Sequence, residues 1–127
     1  MLTGLARHNL EEGAASMRAA RQAGVKIALG SDVSLATGLE IQRMVRHGLT
    51  PAQALAAATG TAAEALGLDE HIGTVTEGKL ADLAVVDGDP LAEPGLFCDP
   101  GRIWLVLQQG VPVAGQALVN RAPNELA

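Results

Sequence analysis

The sequence is poor in several things. Aromatic residues make up 2%, namely Phe97 and Trp104 with no tyrosine, so any core must be built from Ala, Leu, Val and Ile. There is one cysteine, Cys98. That rules out an internal disulfide, fits a reducing compartment and makes the cytoplasm the expected location. The first thirteen residues, MLTGLARHNLEEG, lack the apolar stretch of a secretory signal. No apolar run approaches the roughly 20 residues that cross a bilayer, so no membrane partner is expected. The net charge is −5 with acids and bases interspersed, which argues against nucleic acid as a partner. The three histidines, His8, His47 and His71, form neither a His-x-His pair nor a helical i, i+4 pair. A closed metal site within this chain is therefore not expected, because a catalytic zinc takes about three protein ligands.

What is present is 48% apolar residues over a length of 127, enough for a buried core. Asn9 and Glu12 resemble a capping box, and Leu10, Ala14, Met17 and Arg21 recur at helical spacing up to Gly24. This predicts a helix over 10–23. Val25 to Leu29 then reads as a strand ending on Gly30-Ser31-Asp32, the helix–glycine–strand rhythm of an α/β fold. Leu39 to His47 predicts a short helix with Ile41, Met44 and Val45 on one face and Gly48 closing it. His47 sits where a cationic ring favours the helix dipole.

Thr50, Pro51 and Gln53 form the clearest helix start in the chain, and Gly67 its end. Leu55, Ala58, Ala62 and Leu66 are the expected buried stripe. Gly60 inside that helix costs about 0.5–1 kcal/mol relative to alanine, which close packing would offset. From about residue 72 the pattern becomes glycine-punctuated and strand-like. Strands are predicted at Gly73 to Val75, Leu83 to Val86 and Arg102 to Gly110, with one or two more in VPVAGQALV. A turn is expected at Asp87-Gly88-Asp89-Pro90 and a loop over 91–101.

Three segments in this order, AGVKIALGSD, GLTPAQALAAATGTAAEALGL and GTVTEGKLADLAVVDGDP, resemble the metal-dependent amidohydrolase superfamily, most of all its imidazolonepropionase-like and dipeptidase-related branch. The resemblance covers about residues 10–115. It implies an α/β fold: the C-terminal portion of a (β/α)8 TIM barrel, with Val25 to Gly30 as its eighth strand and 39–66 as closing helices, followed by part of a small β-sandwich. On that layout residues 1–70 are the end of the barrel and 71–127 the sandwich share. Barrel active sites lie just beyond the C-terminal ends of the strands, where Asp32 falls. The resemblance makes Asp32 the catalytic site residue, at the metal or its bound water, and the shuttle that carries the water's proton to the leaving nitrogen. It implies a divalent metal, zinc, in the complete enzyme, and a small-molecule substrate with an amide or cyclic amide bond.

The family's other ligands, a His-x-His on the first strand, a carboxylated Lys or Glu on the fourth and histidines on the fifth and sixth, have no counterpart in this sequence. A full barrel also needs about 200–250 residues. The expectation is therefore a truncated, split or excised C-terminal part that binds no metal and is inactive alone, with a complementary N-terminal polypeptide or its own copy as partner. The competing reading is a non-catalytic remnant or interaction module.

Asp32 by itself also fits a loop former. Ser31 lacks the Gly-x-Ser-x-Gly elbow of a nucleophile. His8 and His71 fit surface or capping roles, and Cys98 a bystander thiol. Lys79 and Asp82 fit a structural turn. Asp87 and Asp89 lack the ligand spacing of a calcium loop.

Overall fold

A computed structural model describes residues 4–31 and 37–119, with the backbone alone for 4–10. Helix α1 (Gly4–Gln22) is followed by the segment 23–31, then α2 (Thr37–Arg46), α3 (Pro51–Ala58) and α4 (Gly60–Leu66). A three-stranded antiparallel sheet follows in the order β1 (Leu83–Val86), β2 (Ile103–Gln108), β3 (Val111–Ala114). Two 3-10 turns (Leu96–Cys98 and Pro100–Arg102) interrupt the β1–β2 connection, and the short α5 (Gln116–Val119) closes the described part.

Helix α1 starts before Asn9, which is an interior residue rather than the cap the sequence suggested. Asparagine costs at most about 0.7 kcal/mol inside a helix, little against continued hydrogen bonding. The helix ends as expected at Gly24, whose φ is +71°. The Gly24 N–H donates to Arg21 O and the Val25 N–H to Ala20 O, which is a Schellman motif. The start of α3 also follows the expectation: Thr50 Oγ1 accepts from the Gln53 N–H at 3.2 Å, and Gln53 Oε1 accepts from the Thr50 N–H at 2.9 Å.

Four other expectations are corrected. Val25 to Leu29 is not a strand, since among the described residues no strand pairs with it. An isolated extended segment has no ladder to complete. The helix predicted through Gly60 is two helices, broken at Thr59, whose Oγ1 donates to Leu55 O at 2.7 Å while its N–H donates to Ala56 O at 3.2 Å. Gly73 to Val75 is turn rather than strand: Lys79 Nζ donates to Thr74 Oγ1 (2.6 Å) and to Ile72 O (3.3 Å), which curls the segment back on itself. The chain after β3 forms one helical turn instead of a further strand, packed on β2 and β3.

The core lies among the helices. Ile41, Met44, Leu49, Ala54 and Ala57 are buried together, with Met17, Ile27, Leu29 and Phe97 packed around them. The buried positions on α3 and α4 are Ala54, Ala57 and Ala63 instead of the expected stripe, and Leu66 is 71% exposed. Small side chains face inward because the backbones approach closely. A Cβ at Gly73 would lie 2.5 Å from Ala63 Cβ and 3.2 Å from Gly60 Cα, so the compensation for Gly60 comes from this loop.

Candidate functional site

Residues 25–31 lead from the end of α1 to position 32, and burial alternates over 26–30. Ile27 and Leu29 are half-buried and pack on the core, whereas Lys26, Ala28 and Gly30 are exposed. The Leu29 N–H donates to Ala57 O at 2.8 Å, which ties the segment to α3. Lys26 donates to the Glu64 carboxylate, which ties it to α4. That hydrogen bond, then the charge of Glu64, holds the Lys26 ammonium above its ordinary pKa of 10.5, with a smaller contribution from Asp69. A small cavity of about 200 Å³ lies between Lys26, Ala28 and the α4 residues Thr61, Glu64 and Ala65.

Ser31 is exposed, and Asp32, the predicted catalytic and metal residue, lies outside the described residues together with 33–36. Gly38 is buried in the first turn of α2. A Cβ there would sit 2.6 Å from the backbone carbonyl of Phe97 and 2.8 Å from the Cys98 nitrogen, so only glycine fits this contact. The sequence places the start of this helix at Leu39 and gives Gly38 no role.

The remaining candidates are not brought together. His47 is half-buried beyond α2, with its N–H donating to Arg43 O at 2.9 Å. His71 is exposed, and its carbonyl accepts from the Leu80 N–H at 2.8 Å. The His8 side chain lies outside the described residues, and Cys98 is a free, exposed thiol. Asp82 takes the structural part expected of it: Oδ1 accepts from the Gln109 N–H at 2.7 Å and steadies the β2–β3 turn. Asp89 Oδ1 accepts from the Leu91 N–H at 2.8 Å, which makes its segment a side-chain-closed turn. Among the described residues no group of three or more His, Cys, Asp or Glu could hold a metal ion. No helix among them is long and apolar enough to cross a membrane.

A broad groove of about 700 Å³ runs between α3–α4 and β1, lined by Ala62, Leu66, Ile72, Val75, Leu83 and Phe97 among others. It is apolar and open. The polar groups at its edge are already occupied within the chain, Thr59 by Leu55 O, Thr74 by Lys79 and Asp82 by Gln109. This gives the groove the character of a packing surface more than that of a site for chemistry.

The packed helices and the small antiparallel sheet have structural neighbours among hydrolases. A prolidase complexed with N-methylphosphonate-L-proline matches with a TM-score of 0.75 at 35% identity, over 82% of this chain and 26% of that one. A Xaa-Pro dipeptidase with methionine bound in its active site matches with a TM-score of 0.73 at 30% identity, over 80% of this chain and 25% of that one. The model of the amidohydrolase family matches residues 3–115, and the chain belongs to that family. Among curated relatives, the imidazolonepropionase of Acinetobacter baumannii is 44% identical over 71 residues, 50% of this chain. That of Pseudomonas putida F1 is 45% identical over 73 residues, 52% of this chain. The chain covers 18% of the length of either relative.

Proposed function

We propose that this chain supplies the C-terminal part of a hydrolase acting on C–N bonds of amides or cyclic amides, with Asp32 as the group that moves the proton. The observation that carries the reading is the family match across residues 3–115, which brings the Gly30-Ser31-Asp32 stretch and its flanking helices under one alignment. Residues 1–70 then form the end of a barrel, with 25–30 in the place of its last strand, and 71–127 form part of a β-sandwich. The exposure of Lys26, Ala28 and Gly30, and the lack of a strand partner for their segment among the described residues, support this. Both are what a barrel strand without its neighbours would leave.

In this reading Asp32 accepts a proton from the attacking water and returns it to the leaving nitrogen. A carboxylate suits both halves of the transfer, since it is basic when ionised and acidic once protonated. The divalent metal implied by the family resemblance has no ligand set among the described residues, so no step is drawn through it. Its ligands belong, in this reading, to polypeptide outside this chain. The test is turnover by the hydrolase reconstituted from this chain and its complement. Asp32→Asn is expected to lower kcat by at least about 100-fold with an unchanged circular dichroism spectrum. Unchanged kcat would remove Asp32 from the mechanism.

One observation favours a second reading, that of an interaction module. Val75 is 89% exposed and Leu66 71%, both beside the apolar groove, and no strand among the described residues covers the outer edge of β1. This reading expects self-association of the isolated chain by light scattering. A monomer with a cooperative melt counts against it.

A further inference from the structure

We propose that the groove between α3–α4 and β1 is a docking surface for a separate polypeptide segment that carries apolar side chains between basic ones. The proposal needs neither proton transfer by Asp32 nor self-association. A monomeric chain would remove the second reading above and leave this surface in place. The starting point is Val75, at 89% the most exposed large apolar side chain among the described residues. Val75 and Leu66 line the groove together with Ile72, Leu83 and Phe97. Its volume of about 700 Å³ has room for apolar side chains from a partner.

The turn that presents Val75 is fastened from within. Lys79 Nζ donates to Thr74 Oγ1 at 2.6 Å and to Ile72 O at 3.3 Å, and the Thr74 and Thr76 hydroxyls share a hydrogen bond of 3.1 Å. The Leu80 N–H donates to His71 O at 2.8 Å and closes the turn at its base. A valine held in water by such a turn is apolar surface that a partner gains by covering.

The charges around the groove select the partner. Between Leu66 and Ala84 the sequence holds four carboxylates, Asp69, Glu70, Glu77 and Asp82, against the single lysine Lys79. Lys79 is half-buried and bonded into the turn, so its charge is not presented at the rim. Glu70 and Glu77 are exposed, lie close in sequence to the lining residues Ile72 and Val75, and join none of the ion pairs among the described residues. Asp82 lines the groove itself, with one oxygen on the Gln109 N–H. A second copy docked face to face here would set these acids against their own equivalents. A segment with lysine or arginine beside its apolar anchors satisfies both the walls and the rim.

The test is fluorescence anisotropy of the full chain with a labelled synthetic peptide of alternating leucine and lysine. Saturable binding is expected, weakening as salt rises. A peptide of alternating leucine and glutamate should bind at least about tenfold more weakly. Val75→Ser removes an exposed anchor without touching the core and should weaken the leucine–lysine peptide at least about fivefold. Leu66→Ser takes its place if Val75→Ser does not melt cooperatively. Glu70→Gln combined with Glu77→Gln should weaken binding about threefold and flatten its salt dependence. Val111→Ser, on an exposed strand away from the groove, should leave binding unchanged. Equal binding of the two peptides, wild-type binding by the folded groove variant, or an equal loss in Val111→Ser overturns the proposal. So does a dimer in sedimentation that the groove variant dissolves, because a second copy is then the occupant.

Discussion

The helical part of the chain, up to Leu66, and the sheet part beyond Leu83 differ in how completely they satisfy themselves. Among the described residues, seven of the eight buried apolar residues, Ala14, Ile41, Met44, Leu49, Ala54, Ala57 and Ala63, belong to the helical part, and Leu96 to the other. None of the strand residues is buried, and Val85, Trp104, Val111 and Val113 are exposed by between 40% and 59%. The strands are hydrogen-bonded, with Leu83 opposite Leu107 and Ala84 opposite Val106 and a register shift between Val85 and Val86, but β2 is only half-buried and β3 is exposed along its length. A sheet needs a second layer to bury its faces. The difference teaches that the helices hold a core of their own, whereas the strands contribute no fully buried residue to one. This agrees with a chain that covers about a quarter of its structural neighbours.

The sharpest way to break that comparison is a pair of truncations. Met44→Ala should cost about 2–5 kcal/mol in a urea melt, because it opens a cavity in the one well-packed cluster. Val111→Ser, on the exposed strand β3, should stay within about 0.5 kcal/mol. Comparable costs at the two positions would mean that the sheet is covered after all.

A smaller effect is expected where the helical core meets the segment joining the strands. Gly38→Ala should destabilise by about 1–3 kcal/mol, since the new methyl meets the Phe97 backbone, which cannot rotate aside. Thermal melting at matched concentration measures it, and a neutral outcome would show that this joint is loose.

The smallest effect is electrostatic. The Lys26–Glu64 pair is solvent-exposed, so Lys26→Met should lower the melting temperature only slightly, and less in high salt. Its folded pKa is raised, so the contribution is fully present below 10.5 and is lost as pH rises through the higher folded value. A difference between wild type and variant that persisted well above that range would point to packing of the lysine stem instead.

Much of this architecture was legible where the decisive partners are close in sequence. The start of α3 needs only Thr50, Pro51 and Gln53, and the end of α1 needs only residues 20–25, so both were readable. The turn built by Asp89 and Leu91 is equally local. What escaped depends on distant partners. Leu29 finds Ala57, Gly38 finds Phe97, and Gly73 finds Ala63, each across many residues with no periodic signal to announce the meeting. For the candidate site the same division holds. The motif around Asp32 was legible as a pattern of residue types, while the hydrogen bond that tethers its approach was not.

By itself, then, the sequence determined the family, the helix end at Gly24, the helix start at Thr50 and the strand Leu83 to Val86. These follow from composition, spacing and short-range hydrogen bonding. Only the tertiary structure decided that Val25 to Gly30 runs against α3 with no strand partner among the described residues, that the long helix divides at Thr59, and that no strand residue is fully buried. Each of these depends on whether a donor, an acceptor or an apolar surface far away in the chain is present to meet its counterpart. A hydrogen bond or a buried face exists only when both sides are in place.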